Sequence, residues 1–165
     1  MAVDAEQFAD EAVESIVQIG NKLLGAHFKI EIEGCPYLSK LIITCTPWLP
    51  GRHPVENVPG QQGVEINEPG PKKTGGMFAM GFIDGVTGQA IKEYKEWEKN
   101  CASVSGRKEV RIYGHSEYGD SELDITYTHC WPDIEEGDFD AENKTAPARF
   151  NMNLHFANRM WTKAI

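Results

Sequence analysis

Residues 108–161 decide the fold, and they read KEVRIYGHSEYGDSELDITYTHCWPDIEEGDFDAENKTAPARFNMNLHFANRMW. The Gly119-Asp120 pair separates two runs that are rich in β-branched and aromatic residues, which is typical of a two-residue hairpin turn. A turn there places Ile112 opposite Tyr127 on one face of the hairpin. The sequence therefore predicts two antiparallel strands with a defined register.

This register gives the predicted hairpin an apolar face, which Trp131 extends, and a polar face. Residues 150–156 alternate in the same way and predict a third strand. An antiparallel sheet of this kind covers a core with one face and meets water or a partner with the other. The polar face has His115 opposite Asp124, and it comprises Glu109, Arg111, Tyr113, His115, Glu117, Glu122, Asp124, Thr126, Thr128 and Cys130.

Residues 84–101 follow a strand predicted over 77–83 and place their apolar side chains on one helical stripe. Asp84 is a residue type that caps helix N-termini, and Gly106 provides an exit. An aromatic stripe of this kind is typical of a helix that covers the apolar face of a sheet. The predicted core and sheet-covering residues are Tyr94, Trp97, Tyr127, Trp131, Phe150, Leu154 and Phe156.

The N-terminal third adds a helix and a second hairpin. Residues 1–25 predict an amphipathic helical extension, which packs on its own domain or on a neighbouring subunit. Residues 28–33 alternate apolar and charged side chains, and a break at 34–37 separates them from a strand over 41–46. These elements predict a mainly β fold with flanking α: an antiparallel β-sandwich or small barrel with a packed helix and an N-terminal helix.

Residues 47–76 are a Pro/Gly-rich arm or loop, because six of the nine prolines and six of the sixteen glycines fall there. A segment of this length without regular structure is uncommon inside a compact domain. It is either mobile or an arm that becomes ordered on a partner. The short run Val64–Ile66 could pair with an edge strand elsewhere.

The bulk composition narrows the class of protein. A chain of 165 residues suits a single domain with a full core. A net charge of −9 argues against tight binding of phosphate backbones, which needs clustered Lys and Arg. The acidic N-terminal segment predicts no signal peptide, and no apolar run reaches the roughly 20 residues of a membrane span.

The four cysteines, Cys35, Cys45, Cys101 and Cys130, are too far apart for a CxxC metal or redox motif. One interpretation is that they are buried free thiols of a protein made in a reducing compartment. The other is that one or two of them form disulfides later, for example between subunits. The sequence leaves both arrangements open.

Motifs for catalysis and metal binding do not emerge from the sequence. The five histidines lie on separate predicted elements without HxxxH or HExxH spacing. The cluster at 129–133 lacks convergent ligands, because His129 and His115 lie on opposite faces and a zinc site needs about four. Neither a Gly-x-Ser-x-Gly elbow nor a phosphate-binding glycine loop occurs. We therefore predict no enzyme, no metal and no cofactor.

The order of these signals resembles the tail tube proteins of contractile-tailed bacteriophages. Their fold is shared with the haemolysin-coregulated protein of type VI secretion and with other contractile injection system tubes. The resemblance covers residues 28–161. It rests on FKIEI at 28–32, YKEW at 94–97, ITY at 125–127 leading into Trp131-Pro132, and RFNMNLHF at 149–156, ending near Trp161.

The resemblance implies a subunit that forms hexameric rings, which stack into a hollow tube conducting DNA from capsid to host. It implies a virion protein that is assembled in the host cytoplasm and has no membrane anchor. Its implied partners are further copies of itself and the sheath, baseplate and tape-measure proteins. DNA would pass through without tight binding.

An acidic channel would repel phosphates and let DNA slide, since binding strength follows Lys and Arg contacts. If the polar face lines the channel, the lumen-facing residues are Glu109, Arg111, Glu117, Glu122 and Asp124. Competing lumen candidates are Glu31 and Glu33 with Lys29.

Other functions compete with a main-tube subunit. Within the same class, a baseplate tube-initiator ring or an injection-system tube subunit would look alike in sequence. From a different class, the runner-up is a small ligand-binding β-barrel, and a hydrolase comes third.

Overall fold

The computed structural model of the protein describes residues 5–18, 27–51, 55–59, 63, 65–116, 119–142 and 145–162. The α-helices in these ranges are α1 Ala5–Gln18, α2 Pro36–Leu41 and α3 Gln89–Asn100. The strands are β1 Phe28–Ile32, β2 Ile42–Cys45, β3 Val55–Pro59, β4 Glu65–Pro69, β5 Gly76–Ile83, β6 Lys108–Ser116, β7 Gly119–Asp138, β8 Arg149–Phe156 and β9 Asn158–Trp161.

β7 organises a seven-stranded antiparallel sheet of order β1-β6-β7-β8-β5-β2. The first half of β7 pairs with β6 and β9, and its second half, from Trp131 onward, pairs with β8. β7 thus joins a first half-sheet, containing β1, β6 and β9, to a second half-sheet, containing β8, β5 and β2. This architecture confirms the predicted mainly β fold with flanking helices.

Aromatic and aliphatic side chains from both half-sheets form the core. Phe78, Tyr127 and Phe156 pack together. The ring centroid of Phe78 lies 5.0 Å from that of Tyr127 and 5.9 Å from that of Phe156, and those of Tyr127 and Phe156 lie 4.9 Å apart. Full burial of one such side chain contributes roughly 1.5–3 kcal/mol. The Tyr127 hydroxyl donates a hydrogen bond to the backbone oxygen of Trp48 at 2.7 Å, which satisfies the buried phenol.

A β-bulge at His129 decides which side chains of β7 enter the core. The pairing with β6 leaves one extra residue of β7 between Tyr127 and Cys130. His129 has a φ of 52°, in the left-handed region that is uncommon for residues other than glycine. Alternation therefore shifts by one residue, so that Cys130 and Pro132 are buried. Trp131, predicted in the core, instead lies on the outward face.

The β6–β7 hairpin has the predicted faces but a different register. Gly119 pairs with Ser116, so the connection lies at residues 117–118 and not at the predicted Gly-Asp pair. Ile112 pairs with Ile125, two residues from its predicted partner. A shift of two residues keeps the side chains from Leu123 to Tyr127 on their predicted faces, since side chains alternate with a period of two.

The second predicted hairpin is wrong. Residues 36–41 form α2, and Pro36 suits its first turn because the fixed φ of proline is preorganised for a helix. β1 then pairs with β6, and β2 pairs with β5 at the other end of the strand order. The two strands are therefore edges of the sheet and are not hydrogen-bonded to each other.

Helix α3 begins later than its predicted start at Asp84. Its N-terminal residue is Gln89, yet the Asp84 carboxylate accepts hydrogen bonds from the amides of Ala90 at 3.2 Å and Ile91 at 3.1 Å. Asp84 therefore stabilises the first turn from outside the helix. The other predicted helix, over residues 1–25, is described only at α1.

The Pro/Gly-rich segment contains regular structure. β3 and β4 form a separate two-stranded sheet, which we call the arm. The predicted strand run near 64–66 corresponds to β4, although Val64 lies outside the described residues. The arm does not pair with any described strand of the main sheet.

Candidate assembly surfaces

A charged network crosses the polar face of the first half-sheet. The Arg111 guanidinium donates two hydrogen bonds to Asp124, from Nε to Oδ1 at 2.9 Å and from Nη2 to Oδ2 at 2.7 Å. The hydrogen bond to Asp124 raises the pKa of Arg111 above its ordinary value, so the guanidinium stays charged. Arg111 Nη1 also lies 3.8 Å from Glu31, which accepts a 2.9 Å hydrogen bond from the Tyr113 hydroxyl. The network thus ties β1, β6 and β7 together.

The residues predicted to line a channel differ in exposure. Glu109 and Glu122 are exposed, and Arg111 is half-exposed. Asp124 is only 2% exposed and does not present a free charge, because Arg111 covers its carboxylate. Tyr113, and not His115, is its cross-strand partner. Glu117 lies outside the described residues.

The predicted core residues occupy three kinds of position. Trp97, Tyr127, Leu154 and Phe156 are buried. Tyr94 and Phe150 are half-buried and pack against the core. Trp131 lies on the outward face of the second half-sheet and stacks on His155, with ring centroids 3.9 Å apart and an interplanar angle of 6°.

Helix α3 covers the edge of the second half of β7, which we call the covered edge. Trp97 Nε1 donates a 3.2 Å hydrogen bond to the backbone oxygen of Cys130. The Tyr94 hydroxyl accepts a 3.1 Å hydrogen bond from the amide of Ile134. Two aromatic side chains therefore satisfy backbone groups that a neighbouring strand would otherwise pair.

Helix α2 covers one end of the outer side of β1, which we call the open edge. Glu33 donates a backbone hydrogen bond to Glu109, and His115 donates one to His27. Because bonded pairs alternate in an antiparallel ladder, the even-numbered residues of β1 point their backbone groups away from β6.

One end of the open edge is satisfied locally. The amide of Ile32 donates to Ser39 Oγ at 2.9 Å, and its carbonyl accepts from the amide of Cys35. No residue in the described ranges bonds the outward N–H and C=O groups of Phe28 and Ile30. Two residues of β1 therefore have outward backbone groups without a bonding partner among the described residues.

A cleft of 910 Å³ lies beside the open edge, between β1 and β2. Apolar groups of Phe28, Ile30, Ile42 and Ile43 line it, together with Lys29 and Lys40. Both lysine side chains are exposed and form no ion pair with a described residue. Glu31 also lines the cleft, which thus combines an apolar lining with two cations, one carboxylate and backbone groups that no described residue bonds.

All four cysteines are free thiols in the structure. Burial raises the pKa of Cys35 and of Cys45 to about 11 and that of Cys130 to about 12. These three thiols are therefore protonated at neutral pH, and protonated thiols are poor nucleophiles. Cys101 is half-buried at the end of α3, where its Sγ donates to the backbone oxygen of Glu98.

The described ranges hold no group of three or more His, Cys, Asp or Glu side chains arranged to bind a metal ion. Among the described helices, none is long and apolar enough to cross a membrane.

Comparisons with known proteins give structural matches only. Neither a family model nor a curated protein matches the sequence. A chain of the sheath–tube complex of PVC, an extracellular contractile injection system in its extended state, is similar over 96% of this chain and 97% of its own, with a TM-score of 0.62 and 11% identity.

Two anti-feeding prophage structures are also similar. A chain of the tube-terminating cap has a TM-score of 0.62 and 12% identity, covering 87% of this chain and 93% of its own. A chain of the baseplate has a TM-score of 0.59 and 12% identity, covering 88% of this chain and 99% of its own. The protein therefore has a contractile tail tube-type fold.

Proposed function

We propose that the protein is a structural subunit that assembles with copies of itself into hexameric rings, stacked as the hollow tube of a contractile tail or injection system. The observation that carries this proposal is the match to a chain of a sheath–tube complex over nearly the full length of both chains. In a virion, such a tube would conduct DNA and would contact sheath, baseplate and tape-measure proteins.

The surface chemistry supports assembly. Exposed sheet edges favour pairing with another chain, and natural proteins cover them or use them. This chain covers one edge with α3 and leaves β1 open beside an apolar cleft. Closed rings of identical subunits require such a site on every copy.

Electrostatics supports passage of DNA without tight binding. The net charge is −9, and Glu109 and Glu122 remain exposed on the polar face of the first half-sheet. If this face lines the channel, replacing both glutamates with lysine should make assembled tubes retain labelled DNA. Glu96→Lys with Glu98→Lys on α3 is the control of equal charge. Equal retention by both variants would refute the assignment of this face to the lumen.

A ring at the end of a tube is the second candidate. It is favoured by the TM-score of 0.62 to the tube-terminating cap, equal to that for the sheath–tube complex. Such a protein would form single rings that do not elongate.

Electron microscopy of the purified protein across a concentration series, with mass from light scattering, tests the proposal. Hollow tubes are expected for a main-tube subunit, and single rings for an initiator or cap. A monomer at every concentration would overturn the proposal. Native mass spectrometry of that monomer would then decide for a ligand-binding barrel if it detected a bound small molecule.

A further inference from the structure

We infer that the cleft beside the open edge receives the arm of a second copy, one strand of which extends the sheet at β1. The inference rests on the proposed function, because it names the contact through which identical subunits join. It commits to one donor, the β3–β4 hairpin, and to one acceptor, the outer side of β1.

The acceptor offers the groups that strand addition requires. Phe28 and Ile30 point N–H and C=O groups outward that no described residue bonds, and an added strand would satisfy them. Paired strands lie about 4.8 Å apart, so a strand added to β1 would enter the cleft toward β2. Its apolar side chains would meet Ile42 and Ile43 on the opposite wall.

The donor is a hairpin that is separate from the main sheet. β3 and β4 pair only with each other among the described strands. A two-stranded hairpin alone is marginally stable in water, and a third strand or a packed surface is needed for independent stability. Addition to β1 would supply that third strand.

Charge makes the two surfaces complementary. The strands of the arm contain Glu56, Glu65 and Glu68 and no Lys or Arg. Their register pairs Glu56 with Glu68, and like charges at directly paired positions are destabilising. Lys29 and Lys40 at the cleft form no ion pair with a described residue and outnumber the one carboxylate of its lining, Glu31, so they would relieve this repulsion. In a chain of net charge −9, such a match gives copies a specific attraction.

Charge reversal tests the contact. Two variants should each raise the concentration for half-maximal ring assembly by about tenfold or more. The cleft variant carries Lys29→Glu and Lys40→Glu, and the arm variant carries Glu56→Lys, Glu65→Lys and Glu68→Lys. Combining all five substitutions in one chain should restore assembly toward the wild-type concentration. Lys92→Glu with Lys95→Glu, on the solvated side of α3, changes the charge by the same amount as the cleft variant and should leave assembly unchanged. Assembly that is insensitive to both cleft and arm variants would overturn the inference while leaving the proposed function intact.

A disulfide cross-link tests whether the cleft receives the arm of a second copy or the protein's own arm. Two variants of different mass are mixed and oxidised, one with Lys29→Cys and the other with Asn67→Cys. Both variants also carry Cys45→Ser and Cys101→Ser. A heterodimer in mass spectrometry supports the inference even if the wild type forms no rings, in which case only the proposed function fails. Absence of the heterodimer refutes the inference. So does a cross-link that forms only within one chain when both cysteines are placed in the same copy.

Discussion

The covered edge and the open edge show two ways of completing the same sheet. At the covered edge, Trp97 and Tyr94 of α3 hydrogen-bond to the backbone of β7 and exclude water from it. At the open edge, Ser39 and Cys35 bond the outward backbone groups of Ile32, and no described residue bonds those of Phe28 and Ile30. The difference teaches that helix side chains satisfy one edge within the chain, whereas the other edge keeps outward backbone groups that no described residue bonds.

The largest expected effect comes from removing the anchor of the covered edge. Trp97→Ala should lower the free energy of unfolding by about 4 kcal/mol, because it opens a cavity at a fully buried site and frees the Cys130 carbonyl. Urea unfolding of the monomer measures this. Trp161→Ala, at an exposed tryptophan on β9, should cost less than about 1 kcal/mol. Similar losses for both variants would contradict the anchoring role of Trp97.

High pH should lower the free energy of unfolding, because buried thiols lie near both edges. Burial raises the pKa of Cys130, beneath the covered edge, to about 12 and that of Cys35, next to α2, to about 11. The unfolded chain loses these protons near the ordinary pKa of 9.0 while the folded chain keeps them. The stabilisation is therefore present below pH 9 and is lost as the pH rises through 11–12.

The size of this effect is on the order of 3 kcal/mol per thiol. Urea unfolding between pH 8 and pH 12 measures it. Cys130→Ala should reduce the decline of the unfolding free energy over the whole pH range. Cys35→Ala should reduce that decline mainly below pH 11. An unchanged pH profile in both variants would exclude Cys35 and Cys130 as its cause.

A smaller effect is expected from the second hydrogen bond at the covered edge. Tyr94→Phe keeps the ring but removes the acceptor for the Ile134 amide, which should cost about 1 kcal/mol. Hydrogen exchange at Ile134 should accelerate, while exchange at Ile112 in the centre of the sheet should not. Unchanged exchange at Ile134 would show that this bond does not protect the edge.

The smallest effect is expected at the open edge. Ser39→Ala removes the acceptor for the Ile32 amide, and water can replace it there, so we expect a loss of about 0.5 kcal/mol. Hydrogen exchange at Ile32 should rise to the rate of the already unpaired Ile30. A loss as large as that of Tyr94→Phe would remove the contrast between the edges.

Local patterns predicted the strands and faces but not their partners. Alternation identified β6, β7 and β8, and the faces of the β6–β7 hairpin survived a register shift because that shift was two residues. The bulge at His129 could not be predicted, because an extra residue is recognised only from its pairing with the facing strand. This bulge places Trp131 on the outward face. The sequence predicts a break at 34–37, but Pro36 begins α2, because proline also suits the first turn of a helix.

The candidate surface was predicted less completely than the fold. The acidic polar face was visible in the sequence, but the burial of Asp124 depends on Arg111 across the hairpin. The open edge could not be predicted, because an unpaired backbone is a property of the whole sheet. The arm was expected from its prolines and glycines, whereas its pairing of Glu56 with Glu68 required a register.

The 20 residues of β7 also determine how the protein bears a mechanical load. A straight strand of that length would span roughly 66 Å, and the bulge lets this one bend between the two half-sheets. Tension applied to either half-sheet passes to the other through consecutive peptide bonds, with no loop in between. On each side, several ladder hydrogen bonds would have to shear together before the halves could separate.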